Sequence, residues 1–102
     1  MLVIVGTIVF ESADDISEVR DALVRRAQRS RNDEGCLDYQ FSVALDAPNE
    51  IRLIEVWESE QTLQAHLDVP DPEFNELVAR GSFSSAVVEA HSVSATREML
   101  RR

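Results

Sequence analysis

Two residues of this chain combine an ionisable side chain with apolar neighbours: Glu55 and His66. Glu55 interrupts Ile51, Leu53, Ile54, Val56 and Trp57, a β-branched and aromatic run that otherwise reads as a buried strand with only Arg52 to break it. His66 lies one turn beyond Leu63 and next to Leu67, the two residues that form the apolar face of the following helix. An acid on a core strand and an imidazole beside an apolar stripe are what a small-molecule pocket needs, and an ordinary satisfied core contains them too. One cysteine, Cys36, and two histidines, His66 and His91, are far apart and match no metal-ligand spacing, so no metal is expected.

The elements that must position these groups follow from periodicity and punctuation. Ser59 is placed to cap a helix opening at Glu60, whose carboxylate suits the positive helix end. Leu2 to Phe10 is an apolar strand with the look of a central one buried on both faces; Gly6 within it reads as a packing accommodation for a neighbouring aromatic ring. Ser12 caps a helix running to about Ser30, with Asp15 in the capping-box position and a stripe of Ile16, Val19, Leu23 and Ala27. Arg25, Arg26, Arg29 and Arg31 gather in its last turns, where cations suit the helix dipole.

After a turn at Gly35, Cys36 to Leu45 alternates, with Leu37, Tyr39, Phe41, Val43 and Leu45 on one face. Asp46 to Asn49 make a hairpin turn into the Glu55 strand. The Asp68–Pro72 stretch breaks the His66 helix, and Glu73 to Arg80 resumes it with Phe74, Leu77 and Val78 inward, before Gly81 stops it. The acids from Asp68 to Glu73 read as a solvated lid loop. A last strand is expected over Ala86 to Ala95, and residues 96–102 form a polar tail.

The order strand, helix, strand, strand, helix, strand is the split βαβ plan: an α+β, ferredoxin-like βαββαβ domain spanning residues 1–102, with a four-stranded antiparallel sheet and its helices on one face. The apolar character of the first and third strands argues that the other face is covered by a second copy, a homodimer that also removes exposed strand edges. A net charge of -9, from ten arginines, no lysine and nineteen acids, excludes the basic stripe that nucleic acid requires. No leader and no run of eighteen apolar residues is read, so a cytoplasmic protein without a membrane partner is expected.

Glu34-Gly35-Cys36-Leu37-Asp38-Tyr39, Ile54-Glu55-Val56-Trp57-Glu58-Ser59, Leu63 with Ala65-His66-Leu67, and Phe74 together resemble the antibiotic biosynthesis monooxygenase domain family, the small dimeric α+β barrels. The resemblance runs from the first strand to about Val93 and implies fold more firmly than reaction. Many members carry a second histidine where Glu73 stands here. Haem-degrading relatives need an asparagine in the first strand and an axial histidine in the second helix piece; Gly6-Thr7 and Leu77-Val78-Ala79 stand there instead, which disfavours haem.

What the resemblance implies is cofactor-free oxidation of a small quinol or polyphenolic substrate by dioxygen. Such an enzyme binds an aromatic ring, removes a proton and stabilises the anion that reduces dioxygen. His66 is then the base, Glu55 the residue that orients it, and Tyr39 a hydrogen-bond donor to a substrate oxygen. Trp57 and Phe74 are walls, Phe41 shares the face of Trp57 if the hairpin loop holds three residues, and Glu73 is a second acid or base if the reaction is an isomerisation. A non-catalytic small-molecule-binding dimer is the alternative.

Register decides which groups meet. A three-residue hairpin loop, Ala47 to Asn49, sets Tyr39 opposite Trp57 and Phe41 opposite Glu55; a four-residue loop places Tyr39 with Ile54 and Val56 instead.

Overall fold

A computed structural model of the chain describes residues 1–81 and 83–102. β1 (Leu2–Phe10) leads to α1 (Ala13–Arg31), the hairpin β2 (Cys36–Ala44) and β3 (Ala47–Trp57), α2 (Glu60–Asp68), α3 (Pro72–Arg80) and β4 (Phe83–Ser92). The strands form one antiparallel sheet in the order β2-β3-β1-β4, so the Leu2–Phe10 strand is an inner one. This is the ferredoxin-like α+β plan, with the second helix in two pieces.

Local chemistry explains the boundaries. Asp15 Oδ2 accepts from the Ser12 N–H at 3.0 Å and starts α1. Ser59 Oγ accepts from the Thr62 N–H at 3.2 Å at the start of α2. Asp71 Oδ1 accepts from the Phe74 N–H at 3.2 Å, and Pro72 occupies the first turn of α3, where a missing N–H is harmless. Gly35 sits at φ 79 in the turn between α1 and β2, and a Cβ there would run into the Thr62 side chain. The turn therefore lies directly against the first turn of α2.

Period-two alternation puts Ile51, Leu53, Glu55 and Trp57 on the buried face of β3 and Arg52 and Ile54 on the other. Leu2, Ile4, Leu53, Trp57 and Tyr39 pack with Ala27 of α1; a second cluster joins Phe10, Ile51, Ile16, Leu23 and Leu77. The core thus lies between the sheet and the helices.

Three expectations are corrected. The hairpin turns at Leu45 and Asp46 alone, and an irregularity between Val43 and Ala44 restores the parity. Tyr39 lies opposite Glu55 and Phe41 opposite Leu53, so all four share the helix-side face, one pair displaced from the three-residue alternative. The last strand begins at Phe83 and ends at Ser92, three residues earlier than expected at each end. The neighbours that crowd position 6 are aliphatic, not aromatic: a Cβ there would lie 3.2 Å from Leu53 Cβ and 3.3 Å from Val88 Cγ2, a tight fit.

Candidate functional site

α2 carries His66 into the layer between helices and sheet, where it is 2 % exposed. Trp57 at the end of β3 lies against it with ring centroids 4.6 Å apart, and Tyr39 from β2 is 5.8 Å away. Trp57 and Tyr39 are 0 % and 2 % exposed, so neither is the wall of an open pocket in this closed arrangement. A cleft of about 130 Å³ lies against the outer side of this layer, lined by Asp33, Glu34, Thr62, Ala65, His66 and Val69.

The imidazole is engaged on both sides. Nδ1 is 2.7 Å from Asp33 Oδ2, and Nε2 is 3.1 Å from a terminal nitrogen of Arg26. A guanidinium can only donate, so Nε2 accepts and the neutral ring must carry its proton on Nδ1, donated to Asp33. The residue that orients His66 is therefore Asp33, in the turn after α1, and not Glu55. Glu55 is 8 % exposed, and its Oε1 accepts from Trp57 Nε1 at 2.9 Å. Burial pushes the Glu55 carboxyl above its ordinary range, with the Trp57 hydrogen bond and the Arg26 charge opposing it.

Arg26 is the centre of the cluster. It projects from α1 with 8 % exposure, its Nε donates to the Tyr39 hydroxyl at 3.4 Å, and Nη1 donates to Asp71 Oδ2 at 3.0 Å. Its guanidinium carbon stands 4.5 Å from the centre of the Phe74 ring, a cation–π contact. Burial raises the Tyr39 phenol, and the Glu55 charge raises it further against the Arg26 hydrogen bond, so the hydroxyl is a protonated donor across the neutral range.

Of the residues singled out in the sequence, His66, Trp57, Tyr39, Glu55 and Phe74 come together around Arg26, while Phe41 touches only the rim, its ring 5.6 Å from Tyr39. Glu73 lies apart. Its carboxylate takes both Nε and Nη2 of Arg25 at 2.8 and 2.9 Å on an exposed face, which removes it as a second proton-handling group beside His66. The hydrogen bond to Arg25 holds its carboxyl below the ordinary range.

Sequence reasoning passed over Arg26, Asp33 and Asp71. Arg26 follows Leu23 by three residues and so falls on the buried stripe of α1, a spacing that outranks a helix-dipole explanation. Asp71 precedes Pro72 and stands three residues before Phe74, the signature of an N-cap and not of a solvated loop. Asp33 carried no such signal, because its approach to His66 depends on the Gly35 turn folding back on α2.

A comparison with curated proteins gives no match. Among solved structures, the chain is similar to a candidate antibiotic biosynthesis monooxygenase from Deinococcus radiodurans, at 24% identity and a TM-score of 0.86 over 98% of this chain and 99% of that one. A second candidate of that kind, from Nitrosomonas europaea, matches at 15% identity and 0.81 over 91% and 98%. A variant of SnoaB, a cofactor-independent oxygenase from Streptomyces nogalater, matches at 18% identity and 0.75 over 93% and 94%. These likenesses establish the fold. The family model of the antibiotic biosynthesis monooxygenases matches residues 1–79, which contain every residue of the cluster around Arg26, and the chain belongs to that family.

Proposed function

We propose that the protein oxidises a small phenolic or quinol substrate with dioxygen, without a cofactor, using His66 as the base. The observation that carries the reading is a buried imidazole held between Asp33 at Nδ1 and Arg26 at Nε2 with the Trp57 ring against it, an arrangement that favours the Nδ1–H tautomer and leaves Nε2 as the acceptor. Family membership supports the same reading.

In this scheme a substrate O–H takes the place of the Arg26 N–H at Nε2. The O–H bond breaks, Nε2 gains the proton, and the imidazolium is stabilised by the Asp33 carboxylate. The phenolate passes one electron to dioxygen, and the two radicals combine to form a carbon–oxygen bond. The peroxide recovers the proton from His66; loss of the ring proton with cleavage of the O–O bond then gives the quinone and one water. Phenol plus dioxygen thus balances quinone plus water. Trp57 supplies a flat, apolar neighbour for the ring, and the Tyr39 hydroxyl donates to an oxygen. The apolar outer face of the sheet, with Val5 and Ile54 each about two-fifths exposed, is covered by a second copy, so the acting unit is a homodimer.

One observation favours a second reading, a small-molecule-binding dimer without chemistry: both nitrogens of His66 are already satisfied, as in a structural histidine. The test is oxygen uptake by metal-stripped protein with a panel of hydroquinones and catechols, beside the His66→Ala variant. Uptake above autoxidation that depends on His66 supports the oxygenase; binding of the same compounds with no uptake supports the second reading.

A further inference from the structure

Two guanidiniums from α1 converge on one carboxylate. Arg26 Nη1 and Arg29 Nη1 lie 3.0 and 3.1 Å from the same oxygen, Oδ2 of Asp71, while Oδ1 of Asp71 caps α3. One carboxylate oxygen thus serves both guanidiniums. Arg29 adds a second mark: its Nε and Nη2 atoms are buried with no acceptor among the described residues. Those two N–H groups are the parallel fork with which an arginine grips a carboxylate, as Arg25 grips Glu73. A buried fork without an acceptor is costly, and an arriving anion relieves that cost.

The cover over this pair is the piece best suited to move. Val69–Asp71 is non-helical, contains Pro70 and runs into Pro72, and is tied to α1 by the two Asp71 pairs and the Arg29 bond to the Pro70 carbonyl at 3.2 Å, with Arg25–Glu73 tying the first turn of α3 beyond it. Charge pairs supply most of these ties, and Leu77 is the one buried residue of α3. Val69 also borders the cleft that His66 lines.

We propose that Arg26 and Arg29 form the binding site for the anionic group of a small aromatic ligand, a carboxylate or phenolate, and that Asp71 is its internal surrogate. The ligand's anion displaces the Asp71 carboxylate, and the Val69–Asp71 break lifts as it does so. The same exchange draws Arg26 off Nε2 of His66, so that entry of an anion and exposure of the base are one event. The inference rests on the reading of this cluster as the substrate site. Its test uses binding alone, so a protein that binds anions but never takes up oxygen fails the reaction and not the anion site.

The probes are benzoate and its neutral isostere benzamide, titrated calorimetrically and by the emission of Trp57, the single tryptophan. Benzoate is expected to bind at least ten-fold tighter than benzamide. Asp71→Asn, which retains a capping oxygen but loses the competing charge, is expected to bind benzoate roughly ten-fold tighter still. Arg26→Gln and Arg29→Gln are each expected to abolish the preference for benzoate; Arg29, a third exposed, is the replacement that folds if the other does not. In the unsubstituted protein, benzoate is expected to speed amide exchange across residues 69–74. Equal affinity for the two probes, an Asp71→Asn variant that binds benzoate no tighter, an unaffected Arg29→Gln, or exchange at 69–74 that stays unchanged or slows would each overturn the proposal.

Discussion

At Glu55 the fold opposes ionisation, mainly by burial, and this fixes the sign of its pH dependence. A carboxyl whose folded pKa is raised contributes stability that is complete below its unfolded pKa and lost as pH rises through the folded value. Glu55→Gln keeps an oxygen for Trp57 Nε1 and removes the charge. It is expected to match the parent in melting temperature at acid pH and to exceed it increasingly above the ordinary carboxylate range; a parent that is the more stable at alkaline pH would contradict the assignment. His66, Trp57, Tyr39 and Phe74 were legible as a group through the family resemblance, while periodicity alone left the face of Tyr39 open between two hairpin registers. Their partners were not. Arg26 was attributed to the helix dipole though it lies on the stripe of Leu23, and Asp33 meets His66 only through a turn whose path no periodicity encodes.

At the scale of the element, the break between α2 and α3 was legible from Pro70 and Pro72, but its character was not. Asp71 is both the cap of α3 and the counterion of Arg26 and Arg29. Burial pushes its carboxyl up, and the Phe74 N–H, the Arg26 hydrogen bond and the two guanidinium charges together hold it below the ordinary range. A depressed carboxyl contributes stability that is present above its unfolded pKa and lost as pH falls through the folded value, so α3 is expected to loosen only in strong acid. Asp71→Ala removes the cap and leaves Arg26 buried without its carboxylate, a loss of about 3 kcal/mol. Thermal unfolding is expected to fall by roughly 10 °C or more, and Asp71→Asn is expected to fall less. The β2–β3 hairpin carries a different lesson. Parity was open between two loop lengths, and neither was the one observed, because the irregularity between Val43 and Ala44 sets a register that the two-residue turn alone would have shifted.

For the whole molecule, strand order and the one-sided placement of helices followed from apolar runs and punctuation. What the single chain leaves exposed is the second face of an inner strand, with Val5 at 42% and neighbouring Ile54 at 41%. The proposed homodimer predicts that the parent sediments as a dimer and that a charge at the centre of that face, Ile54→Asp, yields a monomer; a dimeric parent with an unchanged sedimentation coefficient in the variant would place the contact elsewhere. The central chemical claim, that Nε2 of His66 takes the substrate proton, is tested most directly with His66→Gln. Its amide can accept from Arg26 and donate to Asp33 as the imidazole does, yet cannot carry the proton. With a hydroquinone that the parent oxidises, dissolved-oxygen uptake by the metal-free variant is expected to fall by about 10²–10⁴-fold while its melting temperature stays close to that of the parent. Uptake in the variant at the parent's rate would show that His66 is a structural residue and not the base.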